Sequence, residues 1–258
     1  MKVISIPVLS DNYAYLIIDE DTGDACVVDP SEAGPVSAAV RRENIHFTAI
    51  INTHHHWDHV GGNEELVKEY PDLKVYGHKK DETRTPRITH LVGDGDTTQI
   101  GKLNVRFLYI PCHTSGHVAA HFETEKCIFT GDTLFIAGCG RLFEGTAADM
   151  HDNMTKLMKL PDETKIYCGH EYTVKNLEFA LALEPNNEKI KKKLEWARGV
   201  VSRNLPTIPG KIGEEKDINP FVRVDSNELQ SHVKNKFPGV GLDAVSILEK
   251  TRHLKDNF

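Results

Sequence analysis

The sequence predicts an α+β fold: strands mixed with helices over residues 1–172, then a smaller all-helical part over 173–258. Three observations lead there. Short apolar runs with strand-like alternation open the chain and are separated by turn residues. After Tyr172 the apolar residues recur at helical spacing instead. Finally, four strand-like runs each end at a potential metal ligand, a common way to build a site on a rigid sheet.

The elements follow in order. Lys2 to Leu9, Tyr13 to Ile18 and Ala25 to Val28 read as successive strands, with turns at Ser10-Asp11-Asn12 and Asp21-Thr22-Gly23-Asp24. Pro35 to Glu43 reads as a helix. An apolar β-type run covers Phe47 to Asn52. Asn63 is expected to cap a helix reaching about Tyr70, with Glu64 and Glu65 in its first turn, where they favour the positive end. Val75 to Tyr76, Ile88 to Leu91 and Asn104 to Ile110 follow as short strands, punctuated by Gly93-Asp94-Gly95-Asp96. Val174 to Leu183 and Glu188 to Val201 are helical, broken at Pro185-Asn186-Asn187. Leu177, Ala180 and Leu181 share one face, as do Ile190, Leu194 and Ala197. A Pro/Gly-rich loop is expected from Leu205 to Pro220, then two helices around Ser226 to Lys236 and Leu242 to Lys255.

Composition narrows the class. The chain has 258 residues, 39% hydrophobic and 27% charged, an ordinary globular balance. No apolar stretch approaches a membrane span. The formal net charge of -7 argues against a nucleic-acid surface, which needs a basic stripe. The local run Lys189-Ile-Lys-Lys-Lys193 follows Glu184 and Glu188 and reads as a solvated helix face. The five cysteines are scattered, odd in number and without a CxxC pair, so free thiols in a reducing compartment are expected. The N-terminus carries no signal-peptide or transit-peptide character, and the cytoplasm is the expected location. The alternative is a mitochondrial form cut from a longer precursor.

Thr53-His-His-His-Trp-Asp-His59 carries the chemistry. It places four histidines and an aspartate in seven residues directly after a strand. On an extended chain His54 and His56 point the same way, whereas the adjacent Asp58 and His59 diverge. One segment can therefore serve two neighbouring ions. The other strand-like runs end at Cys112-His113, at Asp132 and at His170. His54, His56, Asp58, His59, His113, Asp132 and His170 are too many ligands for one tetrahedral ion and suit a pair, with Asp132 free to bridge. Imidazole and carboxylate suit zinc, iron or manganese. Cys112 and Cys168 are read as buried strand residues. His55, His117 and His121 are given supporting or packing roles, as are Thr53 and Thr130. Asp29 is a candidate to orient a ligating imidazole.

THHHWDH, followed by His113, Asp132 and His170, resembles the metallo-β-lactamase superfamily, and within it the glyoxalase II (hydroxyacylglutathione hydrolase) family. The likeness spans essentially the whole chain. It includes Val28-Asp-Pro30, Pro111-Cys-His-Thr-Ser-Gly-His117, Phe129-Thr-Gly-Asp-Thr-Leu-Phe135, Ala137-Gly-Cys-Gly140, Phe143-Glu-Gly-Thr146, Cys168-Gly-His-Glu-Tyr172 and Asn219-Pro-Phe221. The HxHxDH motif specifies the superfamily alone; the CGHEYT segment and the helical tail discriminate further. The resemblance implies a four-layer αββα sandwich followed by an α-helical substrate-binding domain. One divalent ion would take His54, His56 and His113. A second would take Asp58, His59 and His170, and Asp132 would bridge them. Glutathione would be held by Arg141, Phe143, Tyr172, Arg252 and Lys255. At two of these the chain departs from the family pattern: Arg141 stands where a lysine is usual and Phe143 where a tyrosine is usual.

The implied reaction is hydrolysis of a glutathione thioester, S-D-lactoylglutathione, to glutathione and D-lactate, the second step of methylglyoxal detoxification. A hydroxide bridging the two ions would be the nucleophile, with Asp58 and Asp132 beside it. The leaving thiolate has an ordinary pKa of roughly 8.5 and needs no dedicated acid. A monomer without nucleic-acid or membrane partners is expected. The alternatives are a mono-iron glutathione persulfide dioxygenase of the same superfamily and a non-catalytic metal-binding paralogue.

Overall fold

A computed structural model describes all 258 residues. Strands β1 (Lys2–Val8), β2 (Asn12–Ile18), β3 (Asp24–Val28), β4 (His46–Ile51), β5 (Lys74–His78) and β6 (His90–Val92) form one sheet in that order. β1 to β3 are antiparallel, and β3 to β6 run parallel. The second sheet has the order β14-β13-β10-β9-β8-β7. Its strands are β7 (Thr97–Ile100), β8 (Leu103–Tyr109), β9 (Val118–Phe122), β10 (Cys127–Gly131), β13 (Lys165–Cys168) and β14 (Gly210–Lys211). A small hairpin, β11 (Leu134–Phe135) with β12 (Gly138–Cys139), stands between β10 and β13 in the chain.

Period-two alternation sorts the side chains of the first sheet into two cores. Tyr15, Ile17, Cys26, Val28, Ala49 and Ile51 point toward the second sheet and join the larger cluster. Leu16, Ile18, Ala25, Val27 and Ile50 point the other way, onto α1 (Ala33–Glu43) and α3 (Asn63–Glu69). β2 is buried on both faces, and its apolar run Tyr-Ala-Tyr-Leu-Ile-Ile is what a doubly covered strand requires. The one-turn α2 (Trp57–Val60) lies between β4 and α3. Against the second sheet lie α4 (Ala147–Leu157) and the tail helices α5 (Thr173–Leu183), α6 (Glu188–Val201), α7 (Ile212–Ile218), α8 (Asn227–Lys236) and α9 (Ala244–Asp256). Leu177, Ala180, Leu194, Ile247 and Leu248 of the tail belong to the same continuous core as the space between the sheets. No helix is long and apolar enough to cross a membrane.

Several expectations are corrected. Asn63 does not cap α3: Gly62 takes that position, and the Asn63 side chain is buried, donating to Asn52 Oδ1 (2.8 Å) and Pro86 O (3.0 Å). The strand placed at Ile88 to Leu91 starts two residues later, at His90. The loop from Leu205 to Pro220 contains α7, whose Ile212 and Ile218 reach the core. Helix α4 was not anticipated, although its signature was readable: Thr146 and Asp149 close a capping box. Asp58 and His59 lie on a helical turn, not on extended chain.

The tail is tied to the sheets by a buried polar junction. Glu215 on α7, fully buried, accepts from Ala137 N and from Asn219 Nδ2, both at 2.8 Å. Asn219 also donates to Gly138 O (3.0 Å), and Asn176 of α5 to Ile136 O (3.1 Å). This fixes the 136–138 turn, where Ala137 sits at φ 55°. Burial pushes the Glu215 carboxyl up to about 8, against the lowering pull of its two donors. A raised folded pKa gives stability that is complete at low pH and is lost as pH rises from the ordinary 4.5 through about 8. Unfolding by urea between pH 4 and 9 should therefore show a decline that Glu215→Gln abolishes. At roughly 1.4 kcal/mol per pKa unit the difference is on the order of a few kcal/mol. Matching pH profiles for both proteins would refute this.

Candidate metal centre

The seven candidate ligands, four from Thr53–His59 and three from distant segments, meet at one end of the two sheets. His54 follows the end of β4, Asp132 the end of β10 and His170 the end of β13, while His113 sits on the loop after β8. A contact between the sheets closes this end: Tyr13 N donates to Gly169 O (2.9 Å), and Asn12 bridges to His170. Tight turns need close backbone approach here. A Cβ on Gly169 would collide with the Asp132 carboxylate and His59, and one on Gly140 with the Asp132 backbone.

Two groups emerge. The inward nitrogens of His54, His56 and His113 lie within 4.8 Å of one another, as do ligand atoms of Asp58, His59 and His170. Asp132 stands between them. Its Oδ1 is 3.3 Å from His59 Nε2, and its Oδ2 is 3.2 Å from His170 Nε2 and 3.5 Å from His113 Nε2. A third combination, Asp29 with His54 and His59, is geometrically close too. Both Asp29 oxygens are already engaged, however. Oδ1 accepts from Thr53 N (2.7 Å), and Oδ2 accepts from Thr53 Oγ1 (2.7 Å) and His59 Nδ1 (2.9 Å). Asp29 therefore orients His59 and closes the turn.

The other imidazoles are held in the same way. His170 Nδ1 donates to Asp11 (2.8 Å) and His113 Nδ1 to Arg141 O (3.0 Å), and His54 Nδ1 contacts Thr53 Oγ1 (3.1 Å). Each then presents its remaining nitrogen inward. Asn12 Nδ2 donates to Asp58 Oδ2 (3.1 Å) and to Asp58 O (3.1 Å), which steadies that carboxylate. His55 turns away toward Asp81 (3.4 Å). Cys112 contacts Thr146 O and Cys168 contacts His170 O, so neither thiol joins a ligand group. All five cysteines are free and buried.

The donor set fits divalent ions. His59 Nε2 and Asp132 Oδ1 are buried and lack any hydrogen-bond partner. Such atoms are costly unless a ligand satisfies them. Burial lowers the pKa of His54, His56 and His113, to about 4 for His56, which keeps these rings neutral as metal binding requires. Burial raises the Asp132 pKa, but the imidazoles of His59 and His170 outweigh it and hold the carboxyl well below its usual range.

The centre opens into a cleft of about 540 Å³. Arg141, Phe143, Tyr172, Arg252 and Lys255 all line it. Tyr172 stacks flat on His170 (centroids 4.7 Å, 7°). Phe143 is exposed at the mouth, 5.2 Å from the His113 ring and 5.9 Å from His56. Arg252 is not a free surface cation: it is buried, donating to Cys139 O (2.8 Å) and pairing with Asp256 (3.1 Å). Sequence reasoning missed Asp11, Lys175 and Asn176 in the same lining. Lys175 lies one turn after Tyr172 at the start of α5, a spacing that marks no role by itself; the contact of α9 with α5 brings its carbonyl to Lys255 Nζ (3.1 Å).

Paired sheets, outer helices and a ligand cluster at their common end are the marks of the metallo-β-lactamase superfamily, whose family model matches residues 9–170. A second model, the hydroxyacylglutathione hydrolase C-terminus, matches residues 171–258. The cytoplasmic hydroxyacylglutathione hydrolase of Arabidopsis thaliana is 46% identical over all of this chain and 99% of its own length. The hydroxyacylglutathione hydrolase of Pelagibacter ubique is 44% identical over the full length of both. The chain therefore belongs to the hydroxyacylglutathione hydrolase family of that superfamily. Among solved structures, ETHE1 from Myxococcus xanthus aligns with a TM-score of 0.67 at 24% identity over all of both chains. BLEG-1 B3 metallo-β-lactamase aligns with a TM-score of 0.67 at 22% identity over 86% of this chain and 99% of its own. At such identities the likeness is one of fold.

Divalent metal binding has a direct thermal consequence. Adding zinc to chelator-stripped protein should raise Tm progressively, by about 2.7 kcal/mol of stability at free metal a hundredfold above Kd. Asp132→Asn should show a smaller rise in the same calorimetric titration. An unchanged Tm for the wild type would contradict the fit described above.

Proposed function

We propose that this chain is a binuclear-metal thioester hydrolase that splits S-D-lactoylglutathione into glutathione and D-lactate. One observation carries the reading. The cleft joins the two ligand groups at one end to a cation cluster of Arg141, Lys175, Arg252 and Lys255 at the other. Glutathione carries two carboxylates, and such a cluster on an acidic protein attracts them. The family membership supports the same substrate class.

In this reading His54, His56 and His113 hold one ion, Asp58, His59 and His170 hold the other, and Asp132 serves both. Two ions there would lower the pKa of water toward neutrality and polarise the thioester carbonyl. The protein does the rest. Asn12 and Asp11 keep Asp58 and His170 aimed at the reacting end. Lys255 and Arg141 hold the tripeptide carboxylates. Arg252 shapes the wall through Cys139 O. The leaving thiolate, with an ordinary pKa of roughly 8.5, departs without an added proton, so a site made almost wholly of ligands suffices. Phe143 offers the tripeptide an apolar face in place of a hydroxyl donor, which lowers affinity by about 1 kcal/mol relative to a tyrosine.

Zinc, iron and manganese all suit this ligand set. A persulfide dioxygenase with a single iron would leave the Asp58, His59 and His170 group without a purpose. The oligomeric state we propose is a monomer. Residues 173–258 act as the substrate-binding part, and the five free thiols suit a reducing cytoplasm.

The decisive assay follows loss of thioester absorbance with S-D-lactoylglutathione, with metal content measured on the same sample. Turnover that a chelator abolishes, near two ions per chain, is expected. Fully loaded protein without turnover would refute the reading.

Lys255 gives a second test. Burial, reinforced by Arg252 and Lys175, brings its ammonium down to about 8. The charge is therefore present below that pH and lost above it. KM should rise as pH passes about 8 while kcat is little affected. Lys255→Met should raise KM about tenfold or more at pH 7, since a hydrogen bond to a charged group contributes about 1.5–3 kcal/mol, and should remove this pH dependence. A variant with lowered kcat and unaltered KM would contradict a binding role.

A further inference from the structure

His117 belongs to neither ligand group, yet it is wholly buried beside His54 of the first group and the backbone of Asp132. Its ring stacks on His54, with centroids 4.8 Å apart and planes at 16°. Its Nε2 lies 3.1 Å from the backbone nitrogen of Asp132. A backbone N–H only donates, so Nε2 must be the acceptor, and the ring proton sits on Nδ1, which has no protein partner. The backbone of His117 is pinned as well: its carbonyl accepts from Ile110 N (3.0 Å), and the next residue, Val118, donates to Thr53 O (2.8 Å). One residue thus touches the ends of β4, β8 and β10, the three strands that deliver His54, His113 and Asp132.

The left-handed step before Asp132 shows why a specific acceptor is needed. Gly131 has φ 48°, and a Cβ there would overlap the Thr53 hydroxyl and the His117 ring. The chain turns sharply at this point, leaving β10 and aiming the next carboxylate between the two ligand groups. Without a partner, the Asp132 N–H would be a buried orphan donor, free to satisfy itself by rotating the peptide. That rotation would swing the carboxylate with it.

We propose that His117 is a positioning residue: its Nε2 locks the Asp132 backbone, and its ring backs His54, so that Asp132 meets both ligand groups at once. It is not a ligand and touches no substrate. The inference rests on the metal-site reading above but not on the identity of the substrate.

Two variants separate the roles. Gln at 117 can place an acceptor where Nε2 lies; Asn places it one atom short, near the Nδ1 position. His117→Asn should weaken retention of metal against a competing chelator by about 10–100-fold, the usual cost of losing an outer partner. It should lower kcat for S-D-lactoylglutathione with KM nearly unchanged. His117→Gln should recover most of both. If His117→Asn does not fold, His117→Phe, which keeps the ring and lacks the acceptor, is read in its place.

The proposal is overturned if the acceptor-free variant melts like wild type and holds zinc equally well. It is also overturned if His117→Gln folds but is as impaired as His117→Asn. Zinc retention is measured without substrate. Absence of thioester hydrolysis in the wild type would therefore sink the functional reading while leaving this comparison intact.

Discussion

The carboxylate of Asp29 is the constraint on which the metal-binding end depends. It is buried, sits at φ 51°, and accepts from Thr53 N, Thr53 Oγ1 and His59 Nδ1. A buried carboxylate is costly unless its lone pairs are met, and here they are met by the turn that must be held. The same contacts define where β3 and β4 end, how Thr53-His54 leaves the sheet, and which nitrogen of His59 faces inward. With Asp29 in place, the HxHxDH run has little freedom left. Ser31 adds to this by donating to the Asp58 carbonyl.

The opposite end of the cleft is organised by different physics. Its cations are not freely solvated. Arg252 is buried along the wall, and Lys255 lies over the rings of Phe179 (4.9 Å) and Phe258 (5.3 Å) while donating to a backbone carbonyl. These contacts reduce the freedom of the two long side chains, so holding an anion there would cost little further ordering. The buried junction of Glu215, Asn219 and Asn176 couples this end to the ligand-bearing loops through the 136–138 turn.

Much of this was legible in the sequence, for identifiable reasons. The ligands announce themselves because four of seven are packed into Thr53–His59 and the rest follow strand-like runs, a pattern that local chemistry can read. The candidate glutathione-binding residues come from a family resemblance alone; nothing in the spacing of Arg252 or Lys255 marks them. What sequence reasoning missed depends on contacts between distant segments. Asn63 looked like a helix cap because its neighbours are acidic and helical, but Asn52 and Pro86 bury it instead. Helix α7 hid among Pro and Gly because it is only seven residues long and draws its stability from Ile212 and Ile218 in the shared core. The partners of Glu215 lie 78 residues away in one case and four in the other, and only the first gives the residue its role.

The order of the parts along the chain has its own implication. Every candidate ligand precedes residue 171, whereas Lys175, Arg252 and Lys255 all follow it. The ligand cluster and three of the four cleft cations are thus written in separate stretches of one gene, with Arg141 alone among those cations in the first. They meet physically where Tyr172 lies flat on His170, at the first turn of the tail. Changes in the tail helices can therefore reshape three of the cleft's four cations without touching a candidate ligand, provided the Tyr172 stack is kept.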